Sequence, residues 1–530
     1  MGIFISIPKT MECIFVALFF AILTTCCAIK PLGALQSLGY NGGKFLKWTA
    51  KKGSTTYLRL LFLSGASLVC SLLVAYLFAF LGEWASIIAL VAHLIFFVVY
   101  VYADSRVALK IPFSFTARFK RLIITSALVF AVIAYVCTTL LNFADYLLKS
   151  EFFGLIRYSL LAVLPMFMPL QICVANGVAK AFEIPHNNSY VKKASKKLAN
   201  SKAKVVAITG SFAKTSVKGA LDTILSQKYK TLATPHSYNT PMGVALTINS
   251  NSLDGVDVLI VEMGARNKGD IAQLCAICPP DYSIITGVCE QHLETFKSLE
   301  TVVATKGEII APTKNITYIA PDYFDMFKGE KIAKCDCVKD VKADCTGTTF
   351  TLCLGDEERS VKTKLLGEHS AYNVGLACQV AFEMGMTIDE IAGAIDKINF
   401  VDHRLQLIKA GEINVIDDGY NSNPVGAKNA LKVLNLFDGR KIVVTPGLVE
   451  LGTIEESTNF ELGAMLVGFD AVILVGETQL LPLKNGFLQG GGDQEKLFVV
   501  PTLAKAQDTL KNVLRSGDTV LFMNDLPDLY

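Results

Sequence analysis

Five apolar stretches crowd the first 177 residues: Met11 to Ile29, Leu60 to Leu81, Trp84 to Tyr102, Leu122 to Leu141 and Tyr158 to Val174. Each is long enough to cross a bilayer's hydrocarbon core as a helix. Little other structure is open to such segments, because backbone N–H and C=O groups in hydrocarbon must be paired within the segment itself. The composition agrees: 52% hydrophobic residues and a mean hydropathy of +0.43 are too apolar for a wholly soluble enzyme of 530 residues. Only Gly82 and Glu83 separate the second and third stretches, which predicts a tight helical hairpin.

The connections carry charge unevenly. Sixteen Lys and Arg fall between Lys30 and Arg59, Arg106 and Arg121, and Lys180 and Lys197, against three on the opposite side. By the positive-inside rule the N-terminus lies outside the cell membrane and everything after the fifth span in the cytoplasm. The rival reading of Met11 to Ile29 as a cleaved signal peptide has little support: Lys9 alone charges its flank, and no small-residue cleavage site precedes Lys30. His93 is the one ionisable side chain well inside a span, and a helix-to-helix hydrogen bond is the favoured reading over a conduction pathway.

After a lysine-rich run ending at Lys204 the pattern changes. Short apolar strands (KVVAIT, DVLIVE, YSIIT) alternate with helix-like stretches, which predicts a parallel, doubly wound sheet. A second alternation follows from about Val401 (INVIDD, KIVVTP, AVILVG, DTVLF), with a helix expected over Gly426 to Leu436 and a boundary close to Asn399. The division expected is a five-helix membrane region over residues 1–180, a basic linker over 181–203, and α/β domains over 204–399 and 400–530. A net charge of +3 gives no case for nucleic acid. The 14 cysteines follow no recurring spacing and read as reduced packing residues; Cys275 and Cys278, and Cys335 and Cys337, have no second pair at zinc-site spacing.

The stretch from Lys204 to Ser216, KVVAITGSFAKTS, has the order of strand, phosphate loop and helix. Gly210, Ser211, Phe212, Ala213, Lys214, Thr215 and Ser216 would cradle phosphates with backbone N–H groups, Lys214 adding charge and Thr215 a hydroxyl suited to Mg²⁺. Glu262 ends a buried strand, where ligands of open α/β sheets collect and an unpaired carboxylate would be costly. His292 follows another strand, so Thr215, Glu262 and His292 form a candidate set around a metal-nucleotide.

The ordered motifs ITGSFAKTS, SYNTPMGVALTIN, VEMGARNKGDI, EQHLETFKSLETVVATKGEI, GEHSAYNVGLA, IDDGYNSNP and VELG resemble the Mur ligase family over about residues 204 to 530. The likeness is greatest to the branch that adds D-alanyl-D-alanine to a UDP-muramoyl tripeptide. It implies a central P-loop ATPase-like domain, a Rossmann-like C-terminal domain, and ATP-driven amide formation through an acyl phosphate in peptidoglycan precursor synthesis. By the same resemblance Lys214 and the loop hold the β- and γ-phosphates, Thr215 and Glu262 bind a first Mg²⁺ and His292 contributes to a second. Lys306 falls where the family has a lysine carbamylated by CO₂. Asn373 matches an adenine contact, Arg404 an arginine that reaches the phosphates on domain closure, and Asp418 the acid at the ribose. Asn239, Thr240, Tyr420, Asn421 and Asn423 fall among the substrate-binding motifs.

Three departures stand out. Ala213 replaces the family's glycine, adding a methyl where backbone must approach phosphate. Ser370 stands for the usual Asn of GEHN. Membrane helices take the place of the family's soluble UDP-gripping domain, so the acceptor is UDP-linked, lipid-linked, or another envelope carboxylate. Membrane lipid, ATP, a muramoyl peptide and an amine such as D-alanyl-D-alanine are the expected partners. A degenerate nucleotide-binding scaffold is the alternative from another class, and retention of Lys214, Thr215, Glu262, His292 and Lys306 argues against it.

Overall fold

A computed structural model describes residues 9–50, 54–81, 84–106, 113–420 and 422–523. They divide into two compact units, one up to His186 and one from Asn187.

The first unit is helical throughout: α1 (Lys9–Ser37), α2 (Gly42–Ala50), α3 (Ser54–Leu77), α4 (Trp84–Ser105), α5 (Ala117–Leu148), α6 (Glu151–Ile156) and the start of α7 (Met168–Ala199). Five of its helical stretches are long and apolar enough to cross a membrane. Their outer faces leave Phe62 76%, Ile22 63% and Leu128 62% exposed, surface that water would penalise and acyl chains would not. α1 packs along α5 and α3 along α4, as the short connection between the second and third spans requires, although Gly82 and Glu83 themselves lie outside the described residues.

The fifth span departs from the expected plain helix. Ser159–Phe167 is a 3₁₀ segment containing Pro165, because a proline there has no N–H for the ladder, and α7 begins after it. α7 then runs on through the lysine-rich stretch to Ala199, so residues up to that point are helical. His93 is fully buried; Ser67 Oγ lies 2.6 Å from its Nδ1 and the Tyr158 carbonyl 3.2 Å from its Nε2. It therefore ties helices together.

Charges that the span-by-span reading leaves out are gathered at both ends of this unit. Arg157, 1% exposed, donates to Asp145 at 2.6 Å and pairs with Glu12 at 3.3 Å, while the Tyr158 hydroxyl donates to Glu12 at 2.6 Å. At the other end Glu183 holds Arg118 at 2.9 Å and Arg121 at 3.2 Å. Buried charge of this kind persists only when paired.

In the second unit β1 (Lys204–Thr209) is buried on both faces after its first residue, as a central parallel strand must be. With α8 (Lys214–Leu225), β2 (Thr231–Ala233), α9 (Pro241–Ser250), β3 (Val258–Glu262), α10 (Asp270–Ile277), β4 (Tyr282–Ile285), α11 (Leu293–Phe296), α12 (Leu299–Gly307), β5 (Ile316–Ile319) and β6 (Ile332–Lys334) it builds a parallel sheet ordered β2-β3-β1-β4-β5-β6. Ile208 pairs with Glu262 and Thr209 with Ile285, so the phosphate loop, Glu262 and the loop before His292 leave adjacent strand ends.

Next comes an antiparallel sheet that the apolar-strand reading passes over: β7 (Val338–Asp344), β8 (Gly347–Leu354) and β9 (Glu357–Thr363). Its strands alternate polar with apolar, and Phe350, Leu352 and Leu354 of β8 join the core under α13 (Glu368–Glu383) and α14 (Ile388–Ile395).

The C-terminal sheet consists of β10 (Gln406–Ala410), β11 (Ile413–Asp418), β12 (Lys441–Thr445), β13 (Ala471–Val475), β14 (Leu497–Val500) and β15 (Thr519–Met523), ordered β10-β11-β15-β12-β13-β14. It is parallel apart from β10, which pairs antiparallel with β11. The chain is thus an apolar helical region followed by two α/β domains. The first helix of the last domain, α15 (Pro424–Leu434), starts two residues before the expected Gly426, because Asn423 caps it and Pro424 suits its first position. All 14 cysteines are free thiols, and burial pushes Cys275 and Cys278 up to about 12.

Candidate active site

Local sterics explain the phosphate loop. Gly210 has φ +149°, and a Cβ there would lie 2.1 Å from Thr286 Oγ1 and 3.1 Å from the Gly287 carbonyl, so only glycine fits. The Ser211 N–H donates to that carbonyl at 2.8 Å, pinning the loop to the strand end beside it. Phe212 turns edge-on to Tyr323, with ring centroids 5.9 Å apart. Ala213 sits at φ +59°, ψ −4° as the N-cap of α8, so the conformation that glycine would adopt freely is kept by an alanine. Its side chain cannot cap, which leaves the first N–H groups of α8 suited to an anion. Lys214 Nζ donates to the carbonyls of Gly210 at 2.8 Å and Ser211 at 3.2 Å, and burial pushes its ammonium below the usual lysine range. Thr215 and Ser216 follow in the first turn of α8.

Glu262 is 1% exposed. Asn239 Nδ2 donates to its Oε1 at 3.0 Å, an approach that requires Gly264, whose Cβ would lie 2.7 Å from the Asn239 side chain. Lys218 Nζ lies 3.1 Å from Oε2 without hydrogen-bonding alignment, and donates to the His236 carbonyl. Burial alone would raise the Glu262 carboxyl, but Lys218 and Lys214 hold it below the ordinary range. Glu262 is therefore a buried carboxylate held ionised, with its Oε2 facing the Lys218 ammonium. Among the described residues no three His, Cys, Asp or Glu converge into a cage. The donor set of Glu262 and the Thr215 hydroxyl suits Mg²⁺ that is also held by phosphate oxygens.

His292, at φ +56°, has its Nδ1 bonded to Glu450 of the C-terminal domain. Lys306 is 3% exposed, with Nζ 6.0 Å from the centre of the Phe296 ring. Burial, then the nearby Lys214 charge, lowers its amine to about 7.

One cleft gathers Phe212, Ala213, Thr215, Ser216, Asn373, Arg404, Asp418, Tyr420 and Asn423. The Arg404 guanidinium lies 4.5 Å from the centre of the Tyr420 ring and donates to the Tyr420 carbonyl at 3.0 Å. His403 and Leu405 on either side of it are left-handed, at φ +59° and +47°. Asp418 Oδ1 accepts from the Leu405 N–H at 3.2 Å, and burial, opposed by Arg404, pushes its carboxyl up to about 7.

A model of the Mur ligase middle domain matches residues 208–381 and one of the Mur ligase glutamate ligase domain matches residues 403–525, together more than half of the chain. The chain belongs to the Mur ligase family. It is 28% identical over 344 residues to the UDP-N-acetylmuramoyl-tripeptide–D-alanyl-D-alanine ligase of Escherichia coli K12, covering 61% of this chain and 76% of that protein. The Bacillus subtilis ligase of the same name is 27% identical over 277 residues, covering 50% of this chain and 60% of that protein. Among solved structures, MurF ligase from Thermotoga maritima in complex with ADP aligns with a TM-score of 0.58 at 27% identity, covering 64% of this chain and 80% of that one.

For a Mur ligase, the candidate residues fall into two groups. Lys214, Glu262, Arg404, Asp418 and Asn373 line or border the cleft between the two domains, with Lys306 close enough to Lys214 to feel its charge. Thr240 caps α9, accepting from Gly243 N–H at 3.3 Å, and Asn423 both lines the cleft and caps α15, accepting from Gly426 N–H at 2.9 Å. Asn239 serves Glu262, and Asn421 lies outside the described residues. Two participants escape sequence reading. Lys218 follows Lys214 by one helical turn on α8, a spacing that would have placed it beside the loop. Glu450 lies within VELG, but its partner is 158 residues away and nothing local points to it.

Proposed function

We propose that this Mur ligase uses ATP to join an amine to an envelope carboxylate at the cytoplasmic face of the cell membrane, with D-alanyl-D-alanine and a muramoyl tripeptide as the reactants. The observation that carries the reading is the cleft in which the Lys214 loop, Asn373, Arg404 and Asp418 meet across two domains. The activity for which the E. coli and B. subtilis relatives are named and the ADP complex of the T. maritima neighbour support it.

In this mechanism the acceptor carboxylate attacks the γ-phosphorus of ATP, ADP leaves, and the amine nitrogen then attacks the acyl carbon. Inorganic phosphate departs as the amide forms and the amine gives up a proton. Lys214 and the N–H groups at the start of α8 neutralise phosphate charge, and Arg404 adds to this from the other domain. Asn373 would meet the adenine and Asp418 the ribose. Glu262 and Thr215 would hold Mg²⁺, which offsets the negative charge of the reacting phosphates. Lys306, as a neutral amine above about pH 7, has the form that condenses with CO₂, and the resulting anion would orient a cation beside the phosphates.

Five apolar helices stand where the family has its UDP-gripping domain, which favours a lipid-linked or membrane-presented acceptor as a second form of the reading. The orientation read from the Lys and Arg counts puts the catalytic domains in the cytoplasm. Lys192, Lys193 and Lys196 lie exposed on α7 while Ala194 and Leu198 pack inward, a basic face that would suit anionic lipid. The test is ADP release by the detergent-solubilised chain with D-alanyl-D-alanine and UDP-linked or lipid-linked muramoyl tripeptide. Nucleotide binding without ADP release for any acceptor would instead support the scaffold alternative.

A further inference from the structure

His292 and Glu450 are 158 residues apart in sequence, on different domains, and in direct contact. His292 enters from the loop after β4 of the middle domain; Glu450 comes from the loop after β12 of the C-terminal domain. Both have left-handed backbones, φ +56° and +63°, a conformation that Glu and His adopt only when their surroundings hold them there. Their side chains are 16% and 15% exposed, so the pair is largely shielded from water. Arg266, in the loop after β3, approaches the other Glu450 oxygen at 3.8 Å. The Glu450 loop is itself braced: Glu455 accepts from the Leu451 N–H at 3.2 Å and from Gln479 at 2.6 Å. One carboxylate of the C-terminal domain thus engages the two middle-domain loops that follow Glu262 and precede α11.

We propose that Glu450 is a positioning residue that fixes the His292 imidazole across the domain interface, so that the ring is set for a metal-nucleotide only when the C-terminal domain is closed. This rests on the ligase reading of His292 given above. With Nδ1 engaged by the carboxylate, a metal contact by the ring must use Nε2, and the carboxylate both orients the ring and fixes its tautomer. Opening of the domains withdraws Glu450 and frees the ring to turn. Metal capture and closure become parts of one equilibrium.

The test uses the full-length chain in detergent with Glu450→Ala, Glu450→Gln, His292→Ala and the double Ala variant. Two quantities are read: the unfolding midpoint without ligand, and the Mn²⁺ concentration needed to saturate the chain in the presence of excess AMP-PNP. Glu450→Ala should raise the Mn²⁺ requirement about 10–100-fold, the range seen when a partner that orients a ligand is lost. Glu450→Gln, which keeps an acceptor but loses the charge, should fall between. The double variant should bind Mn²⁺ no more weakly than His292→Ala, and its unfolding shift should fall short of the two single shifts combined. Equal weakening by Glu450→Ala whether or not His292 is present, or additive unfolding shifts, overturns the proposal. So does an unchanged Mn²⁺ requirement in Glu450→Gln and Glu450→Ala. A wild-type chain that binds no AMP-PNP instead overturns the ligase reading and the metal part of this proposal, while the ligand-free cycle still decides the contact.

Discussion

Replacing Ala213 by glycine separates two accounts of the phosphate loop by the sign of the effect. At φ +59° an alanine is strained by about 1–2 kcal/mol relative to an ordinary backbone, a cost that glycine does not carry. Against that, glycine gives the unfolded chain extra freedom worth about 0.4–1 kcal/mol. The half-buried methyl, which packs on the core around Val217, adds roughly 0.4 kcal/mol to the loss, half of a buried CH₂. Together these terms span about −0.4 to +1.2 kcal/mol and centre near +0.4 kcal/mol in favour of glycine. Were Ala213 an ordinary helical residue, propensity and the lost methyl would together cost about 1.4 kcal/mol. The assay is the unfolding midpoint of the catalytic domains, followed with AMP-PNP affinity measured on the same samples. A midpoint unchanged or slightly raised, with affinity unchanged or tighter, is expected. A fall corresponding to about 1 kcal/mol or more would refute the strained geometry.

Other perturbations test the rest of the site. Gly210→Ala places a Cβ 2.1 Å from Thr286 Oγ1 at φ +149°, so it should cost at least about 1–3 kcal/mol and abolish AMP-PNP binding, read by calorimetry. Lys214→Ala should abolish ATP turnover; near-normal ADP release by that variant would sink the ligase assignment. Lys306, lowered to about 7, is protonated in fold and unfolded chain alike below that pH and neutral in the fold alone between about 7 and its ordinary value near 10.5, so its penalty on stability is full below 7 and relieved as pH rises through that window. Its neutral fraction grows over the same range, so bicarbonate should stimulate CO₂-depleted enzyme more at pH 8 than at pH 6, measured as initial ADP release. Asp418 works in the opposite direction: raised to about 7, it stays protonated in the fold while the unfolded chain ionises near pH 4, so it lowers stability as pH rises from about 4 to 7. Asp418→Asn should therefore gain stability over wild type across that window while losing nucleotide affinity, and a pH-independent difference would contradict the assignment.

Much of this fold is legible in the sequence because its signals are local. Runs of apolar residues about 20 long force helices wherever they lie in lipid, and buried parallel strands such as KVVAIT and DVLIVE stand out against polar loops. Gly210, Lys214 and Glu262 are legible for the same reason, since each belongs to a strand end where ligands collect. Antiparallel β7 to β9 are harder to see, because half of their residues face solvent and their alternation is diluted by Lys, Asp and Thr. The buried charges fail to announce themselves for a different reason: Glu12 meets Arg157 and His292 meets Glu450 only after the chain has folded. Thr240 and Asn423 show the converse, motif residues whose side chains are occupied by helix capping. Ala213 stands out in the sequence as an odd residue, but only the backbone at φ +59° gives the oddity a magnitude.

The most direct test of the central claim is mass spectrometry of the product formed by the full-length chain from ATP, D-alanyl-D-alanine and muramoyl tripeptide, supplied in UDP-linked and lipid-linked form. One new amide per ADP released, with the acceptor's mass raised by that of the dipeptide less one water, is the result expected from at least one of the two acceptors. Bound nucleotide with neither ADP release nor a covalent product from either acceptor would contradict it.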